Sequence, residues 1–307
     1  MELIRNLTAE EVDRNTIFTG QSVIGFSDRT IEGKTFTNAC GALEMHPDGK
    51  PYHTFRTATL LVNGKNLSFK NCIFENTAGS GKTAGQALAL YCDGDGLEFS
   101  DCTLRGFQDT LFLAPLPPKE IQKDGFIGPG QVKPRTPRHV VFRHCYIEGS
   151  VDFIFGGAWG EFFDCEFRSL EPGYVFAPST PEGQEHGMVA TNCTFTAASG
   201  LPERSVYLGR PWRDYARCEL IDCTMESHIK PEGWSDWNKP AARENAYFYE
   251  RGSKGPGASK ERDSFVHVER IACERSQNSK LADFCPPKAA EGSQNSKSVD
   301  FCPRESR

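Results

Sequence analysis

The segment LSFKNCIFEN, residues 67–76, contains the pattern that decides the fold. Apolar and polar side chains alternate through residues 67–71, which is the periodicity of a β-strand with one buried face. An Asn–Cys pair follows, and a second apolar strand starts directly after it. The segment therefore predicts two short strands joined by a tight corner.

The same pattern, an apolar strand followed by Asn, Asp or His and then Cys, recurs five more times, in residues 97–106, 140–149, 161–169, 189–198 and 219–227. Short strands that recur about every 20–45 residues are typical of a solenoid, in which stacked coils bury one continuous core. We predict an all-β, single-stranded right-handed parallel β-helix. A β-sandwich or another all-β domain is the alternative.

The cysteines of this repeat would then occupy equivalent positions in successive coils. We expect them to be small buried hydrophobic residues rather than disulfides or a metal site, because the sequence contains no C-x-x-C pair. The repeated cysteines are Cys72, Cys102, Cys145, Cys165, Cys193 and Cys223.

Composition and charge limit the classes of function. The chain has 307 residues and a net charge of −6, so a basic surface covering a whole domain, as nucleic acid requires, is not expected. No apolar stretch is long enough to cross a membrane. The first 15 residues show no signal peptide, and many free thiols fit a reducing compartment, so we predict a cytoplasmic location. Secretion is the alternative if the N-terminus is incomplete.

Two aspartates lie within apolar runs beside predicted strands. Asp109 occurs in FQDTLF (107–112), and Asp152 occurs in GSVDFIFG (149–156). A buried carboxylate is costly unless it is paired or hydrogen-bonded, so each is either a turn residue facing solvent or a reactive group on a rigid sheet. If one coil separates them, their environments could divide the pKa values into one ionised and one protonated group.

Other polar residues lie in similar segments. Gln86 and Gln108 could form an amide ladder between coils or donate to an oxyanion. Arg210, in LGRPW, could make a surface salt bridge or hold a carboxylate through two hydrogen bonds. Trp212 could be part of an apolar patch or a platform for sugar stacking. These residues alone indicate a carboxylate-based hydrolase or a carbohydrate binder.

Together, the segments GQALALY (85–91), FQDTLF, GSVDFIFG and LGRPW resemble the motifs of the pectin methylesterases, the pectinesterase family of carbohydrate esterases. The resemblance extends from about residue 54 to about residue 268 and implies a right-handed parallel β-helix. It also implies an Asp nucleophile, an acid/base Asp, a Gln oxyanion hole and an Arg that orients the nucleophile. These catalytic residues are Asp152, Asp109, Gln86, Gln108 and Arg210.

The resemblance further implies substrate-binding positions at Phe155, Trp212, Phe112 and Thr57, with Phe112 standing where Tyr is common in the family. The implied substrate is pectin or a methylated oligogalacturonide, whose methyl ester is hydrolysed to release methanol. No metal or other cofactor is implied. We expect a monomer with no nucleic-acid or membrane partner.

We predict a catalytic β-helix domain over residues 1–275, with truncated N-terminal coils because the family's Gly-x-Tyr-x-Glu motif is missing. A repetitive tail, 276–307, is expected to be disordered. The segment 113–139 holds six Pro and five Lys or Arg and is predicted to be a long loop. It is either a surface excursion or a lid whose basic side chains contact free carboxylates of the substrate.

Three alternatives remain at this point. A pectate-type lyase would need a calcium cluster, for which only Asp93 and Asp95 are available nearby, and these two resemble a turn. A non-catalytic carbohydrate-binding relative would have lost a catalytic position, whereas all five are present. An esterase for another small acyl ester would use the same site with different groove walls.

Overall fold

Each repeat of the sequence pattern forms a corner between two strands in the computed structural model, which describes residues 4–269. Successive coils stack with their paired strands parallel. The predicted β-helix is therefore confirmed. The repetitive tail predicted for 276–307 lies outside the described residues.

The strands have two to thirteen residues each. In chain order they are β1 (Arg5–Leu7), β2 (Ile17–Thr19), β3 (Ser22–Ile24), β4 (Arg29–Glu32), β5 (Thr35–Asn38), β6 (Leu60–Val62), β7 (Leu67–Lys70), β8 (Ile73–Asn76), β9 (Leu90–Cys92), β10 (Leu97–Ser100), β11 (Thr103–Arg105), β12 (Leu111–Leu113), β13 (His139–Arg143), β14 (Tyr146–Gly156), β15 (Trp159–Phe163), β16 (Glu166–Pro178), β17 (Met188–Thr191), β18 (Thr194–Ala197), β19 (Tyr207–Gly209), β20 (Arg217–Ile221), β21 (Thr224–Met225), β22 (Tyr247–Arg251) and β23 (Val266–Glu269).

Three short α-helices interrupt the coils: α1 (Ala9–Arg14), α2 (Gly81–Ala84) and α3 (Pro240–Asn245). Helix α1 begins with a capping box between Thr8 and Glu11, and its Val12 packs into the core. In the described part of the chain, none of the helices has the length and hydropathy that a bilayer span requires.

Three parallel sheets form the faces of the coil. Sheet 1 contains β4, β7, β10, β13, β15, β17, β20, β22 and β23. Sheet 2 contains β2, β5, β8, β11, the first halves of β14 and β16, β18 and β21. Sheet 3 contains β1, β3, β6, β9, β12, the second halves of β14 and β16, and β19. Strands β14 and β16 thus pass from sheet 2 into sheet 3 without a break.

The corner between sheet 1 and sheet 2 explains the repeated sequence pattern. The residue before each repeated cysteine has a left-handed backbone, with φ between 51° and 56°. Asn, Asp and His adopt this conformation more readily than other non-glycine residues. Glycine takes the same place in the coils before and after the repeat, at Gly33 and Gly252. The repeated Asn, Asp or His is therefore explained by the left-handed backbone that this corner requires.

The repeated cysteines form a ladder along the same corner, as predicted. All six are buried with free thiols. Each Sγ donates to a carbonyl oxygen of a preceding coil at 3.4–3.7 Å, as Cys102 does to Phe69 and Cys145 does to Phe99. Inside the coil, phenylalanine rings stack from one level to the next at 4.7–5.0 Å. The thiols thus link neighbouring coils while filling small core positions.

Candidate active site

The five predicted catalytic residues converge at the corner where sheet 2 meets sheet 3. Gln86 precedes β9, and Gln108 and Asp109 lie between β11 and β12. Asp152 lies in the middle of β14, and Arg210 follows β19 directly. Parallel stacking brings these positions, 124 residues apart in sequence at the extremes, to one side of the molecule.

Backbone hydrogen bonds align the coils that carry these residues. The Ala87 amide donates to the Gln108 carbonyl, and the Asp109 amide donates to the Val151 carbonyl, both at 3.0 Å. Asp109 and Asp152 both have left-handed backbones, with φ of 63° and 50°. The register between β14 and β16 shifts on both sides of Val151. This irregularity lies at the turn where β14 presents Asp152 at the corner.

Arg210 holds the Asp152 carboxylate at both oxygens. Its Nε donates to Oδ1 at 2.8 Å and its Nη2 donates to Oδ2 at 2.7 Å. The guanidinium lies between two aromatic rings, 3.9 Å from the centroid of Tyr174 and 3.7 Å from that of Trp237. The rings and the paired hydrogen bonds together fix the orientation of the carboxylate.

Burial and charge separate the two aspartates chemically. Burial and the neighbouring Asp152 charge raise the pKa of Asp109 well above its usual range, against the opposing charge of Arg210. Burial also raises the pKa of Asp152, but its hydrogen bonds to Arg210 and the charges of Arg210 and Lys239 oppose that rise. Of the two carboxyls, Asp152 is therefore the one favoured in the ionised form, and Asp109 is the one favoured in the protonated form.

A cavity of about 510 Å³ opens above these groups. Its walls include both aspartates and both glutamines, together with predicted substrate residues Phe155 and Trp212. Within the described residues, the side-chain amides of Gln86 and Gln108 make no hydrogen bond to protein, so both remain available to a ligand. The cavity thus combines an oriented carboxylate, a second carboxyl with a raised pKa and two amides.

Two predicted substrate positions lie behind the cavity wall instead of on it. Thr57 is fully buried, and its hydroxyl donates to the Thr54 carbonyl at 2.7 Å and accepts from the Leu88 amide at 3.0 Å. Phe112 is also fully buried, and its ring packs against Phe55 and Phe155 at 4.9 Å. Both residues support the wall without lining the cavity.

The 113–139 loop forms one side of the cavity through Ile121, Gln122, Gly125 and Phe126. The lid alternative placed its basic side chains against the substrate, but three of the five bind protein groups and do not line the cavity. Lys133 and Arg138 pair with Asp93, and Arg135 donates to carbonyls of its own loop. These cations hold the loop against the coils, which leaves its apolar and amide residues to face the cavity.

The same contacts weaken the lyase alternative. Asp93, one of the two carboxylates considered for calcium, is neutralised by Lys133 and Arg138. The Asp95 carboxylate accepts the His139 amide at 2.9 Å. No group of three or more potential metal ligands occurs among residues 4–269.

Several cavity residues were missed by the sequence reasoning. Trp237, Lys239 and Arg213 line the cavity, and Tyr174 supports Arg210 from one side. Trp237 belongs to the segment PEGWSDWN (231–238), so its tryptophans were a usable signal. Lys239 follows two residues with left-handed backbones, a conformation that the sequence did not reveal.

Comparisons with known proteins agree with this geometry. The family model described as Pectinesterase matches residues 29–115 and 135–283. A probable pectinesterase/pectinesterase inhibitor of Arabidopsis thaliana is 31% identical over 260 residues, covering 81% of this chain and 40% of the relative. A pectinesterase of Petunia integrifolia is 33% identical over 239 residues, covering 74% of this chain and 57% of the relative. The chain thus spans about half the length of these curated relatives.

Solved structures show the same fold. Pectin methylesterase from carrot superposes with a TM-score of 0.63 at 22% identity, covering 89% of this chain and 88% of that one. A pectin methylesterase in complex with a hexasaccharide superposes with a TM-score of 0.61 at 25% identity, covering 89% of this chain and 90% of that one.

The prediction of a cytoplasmic location is wrong. The relatives are named for pectin, a polymer of the plant cell wall outside the cytoplasm. The prediction depended partly on free thiols, but the thiols of the described cysteines are buried. A buried thiol is unreactive in any redox compartment, so its free state does not report the location.

Proposed function

The chain belongs to the pectinesterase family, and from this premise we propose that it hydrolyses methyl esters of galacturonate units in pectin and releases methanol. The observation that carries the proposal is the two-oxygen pairing of Arg210 with Asp152 beside the buried Asp109, whose pKa is raised by burial and by the Asp152 charge. One cavity therefore offers a nucleophile and a proton donor together.

In the first half of the proposed reaction, an Asp152 oxygen attacks the carbonyl carbon of the methyl ester. The carbonyl oxygen becomes an oxyanion, to which the amides of Gln86 and Gln108 donate hydrogen bonds. The tetrahedral intermediate then collapses as Asp109 gives its proton to the departing methoxide. Methanol leaves, and the galacturonate carbonyl remains bonded to Asp152 as an anhydride.

In the second half, Asp109 is ionised and accepts a proton from a water molecule. The resulting hydroxide attacks the carbonyl carbon of the anhydride, and the same amides stabilise the second oxyanion. Asp152 leaves as a carboxylate, and Arg210 restores its orientation through the two hydrogen bonds. The raised pKa of Asp109 suits both roles, because one group must donate and then accept a proton.

Aromatic residues support a sugar ligand in this cavity. Phe155 and Trp212 line it and pack against each other at 5.6 Å between ring centroids. The hydrophobic faces of a pyranose pack well against such rings. We propose that these two side chains hold the galacturonate unit that carries the reacting ester, while the 113–139 loop forms a wall of the same groove.

The proposed function is tested by methanol release from highly methylated pectin. We expect Asp152→Asn to lower kcat by at least about 10⁴-fold, because the amide is not a nucleophile. Asp101→Asn is the matched control, since Asp101 has the same left-handed backbone but is exposed at the corner between sheet 1 and sheet 2. A well-folded wild-type protein that releases no methanol would contradict the proposal, as would an Asp152→Asn variant with normal activity.

A further inference from the structure

A buried ion pair lies outside the cavity, near the C-terminal end of the described coils. Arg262 donates to both carboxylate oxygens of Glu250, from Nε to Oε1 at 2.8 Å and from Nη2 to Oε2 at 3.1 Å. The two side chains are only 3% and 2% exposed. Trp234 Nε1 and Ser253 Oγ donate to the same carboxylate, at 2.9 Å and 3.1 Å. Burying two charges is costly, and these contacts offset that cost only in one arrangement of the surrounding chain.

Arg262 also fastens residues 230–238, which we call the clamp segment. Its Nη1 donates to two carbonyls at the start of this segment, at 3.2 Å and 3.1 Å. Gly233 has a φ of 71°, and a Cβ atom there would lie 2.6 Å from Cδ of Arg262. Glycine therefore lets the arginine lie directly against the clamp segment. The next residue, Trp234, is the one that donates to Glu250.

The clamp segment pairs with the strand that leads to Arg210. The Leu208 amide donates to the Gly233 carbonyl at 2.6 Å. The Ser235 amide donates to the Gly209 carbonyl at 3.0 Å. These two bonds hold the end of β19, directly before Arg210.

The clamp segment also contacts the Arg210 guanidinium itself, because the Trp237 ring lies 3.7 Å from it. A second ion-pair link holds this part of the segment. Arg243 pairs with Asp236 at 2.9 Å and with Asp263 at 2.7 Å, and Asp263 directly follows the arginine of the buried pair. The chain after β22 is therefore fastened to the clamp segment at both of its ends.

We propose that Arg262 and Glu250 are positioning residues that act through the clamp segment to hold Arg210 in the orientation that pairs with both oxygens of Asp152. The inference rests on the proposed function, in which Asp152 must point at the ester carbonyl. Neither Arg262 nor Glu250 lines the cavity, so their effect on the reaction passes through Arg210.

The test removes the pair without leaving a buried charge. Arg262→Gln combined with Glu250→Gln does this, and the new amide at position 250 can still accept from Trp234. We expect kcat for methanol release to fall about 10–100-fold with little change in KM, because a nucleophile displaced by about 1 Å reacts slowly.

The pH profile gives a readout that lower stability alone does not move. Hydrogen bonds from Arg210 oppose the rise in the pKa of Asp152, so a loosened Arg210 lets that pKa rise further. The acid limb of kcat/KM reports ionisation of the free enzyme and should move to higher pH by about one unit. Lys239 and Asp109 also interact with the Asp152 carboxylate, and neither is changed in the variant.

Phe36→Leu is the matched control for lost stability. Phe36 is fully buried in β5 and stacks on Phe74 at 5.6 Å, so its substitution weakens the core without touching the clamp segment. At a temperature at which the proteins are folded, its acid limb should stay in place. Arg262→Lys keeps a cation beside Glu250 but lacks the planar fork, so it should give a smaller shift, and it replaces the double variant if that variant does not fold. The inference is overturned if the acid limb stays in place in every folded variant, or if Phe36→Leu moves it equally.

A second measurement needs no hydrolysis, so it separates failure of this inference from failure of the proposed function. Nuclear magnetic resonance of isotopically labelled arginine follows the Arg210 Nε–H, whose signal is identified by its loss in Arg210→Lys. This proton donates to Asp152 and should exchange slowly with water in wild type and in Phe36→Leu. In the double variant we expect exchange at least about tenfold faster. That result supports the positioning role even if wild type releases no methanol, in which case only the proposed function fails. Equal exchange in wild type and the double variant overturns the positioning role.

Discussion

Two corners of this β-helix use the same left-handed backbone for opposite purposes. At the cysteine corner, between sheets 1 and 2, Asn71, Asp101 and their equivalents are mostly exposed, and the buried thiols beside them donate to the preceding coil. At the catalytic corner, between sheets 2 and 3, the left-handed residues Asp109 and Asp152 are themselves buried.

Burial of the left-handed residue therefore separates a structural corner from a reactive one. At the cysteine corner, each thiol donates to a carbonyl oxygen of the coil before it, so the corner can repeat with little change from coil to coil. Stacking carboxylate over carboxylate is unfavourable, so the catalytic corner needs Arg210 on one group and a proton on the other. A site that lowers the stability of the fold in this way is typical of a functional centre on a stable scaffold.

The largest effect is expected from a substitution that removes the counterion of Asp152 at the catalytic corner. Arg210→Met leaves Asp152 buried without its partner, which should lower the free energy of unfolding by about 3–5 kcal/mol at neutral pH. The loss should shrink as the pH falls, because Asp152 is then neutral. Denaturant titrations across pH check both points. Arg143→Met is the control, since Arg143 is exposed and packs on the Phe163 ring in sheet 1; an equal loss there would remove the contrast between the corners.

The next effect has the opposite sign. The folded-state pKa of Asp109 is raised, so its contribution to stability is full below the ordinary value of about 3.9 and is lost as the pH rises through the folded value. Asp109→Asn should abolish methanol release yet raise the free energy of unfolding by roughly 1–3 kcal/mol at neutral pH. Thermal melts at several pH values measure this. A destabilised variant at neutral pH would contradict the view that the corner is strained by burying an acid.

A smaller effect concerns the backbone of the cysteine corner. Asn71→Ala should destabilise by about 1–2 kcal/mol, because alanine is strained at the φ of 51° that this position requires. Asn71→Gly should cost less, since glycine adopts the conformation freely. Chemical denaturation measures the free energy of unfolding of both variants. Equal decreases would mean that the Asn71 side chain, and not the backbone conformation, stabilises the corner.

The smallest effect tests the thiol ladder. Cys102→Ala removes a buried sulfur and its donation to the Phe69 carbonyl, at 3.5 Å, and should cost about 1 kcal/mol. The same measurement on methanol release should show no change, because Cys102 lies at the other corner from the cavity. Loss of activity without loss of stability would show that the two corners are coupled.

The sequence predicted the cysteine corner well because every coil repeats the same requirement there. Sheet 3 carries no comparable repeat, so the passage of β14 and β16 from one sheet into the next could not be foreseen. Asp109 and Asp152 were identifiable because carboxylates are rare inside apolar runs. The motifs around them indicated the family.

Other positions depended on geometry that a sequence does not carry. Thr57 and Phe112 were predicted to bind substrate from the family resemblance. In the structure, packing places both side chains behind the cavity wall. Trp237 and Lys239 reach the cavity only because consecutive left-handed residues turn the chain over Arg210. In the lid alternative, the basic residues of the 113–139 loop contact the substrate, but two of them, Lys133 and Arg138, pair with Asp93.

The order in which the coils are synthesised has a consequence for the site. The residues from Gln86 to Asp152 leave the ribosome before Arg210, because the chain grows from its N-terminus. Until β19 docks, the Asp152 carboxylate lacks the two hydrogen bonds from Arg210 that orient it. The proposed nucleophile is therefore synthesised early in the chain but is oriented only when a later coil docks.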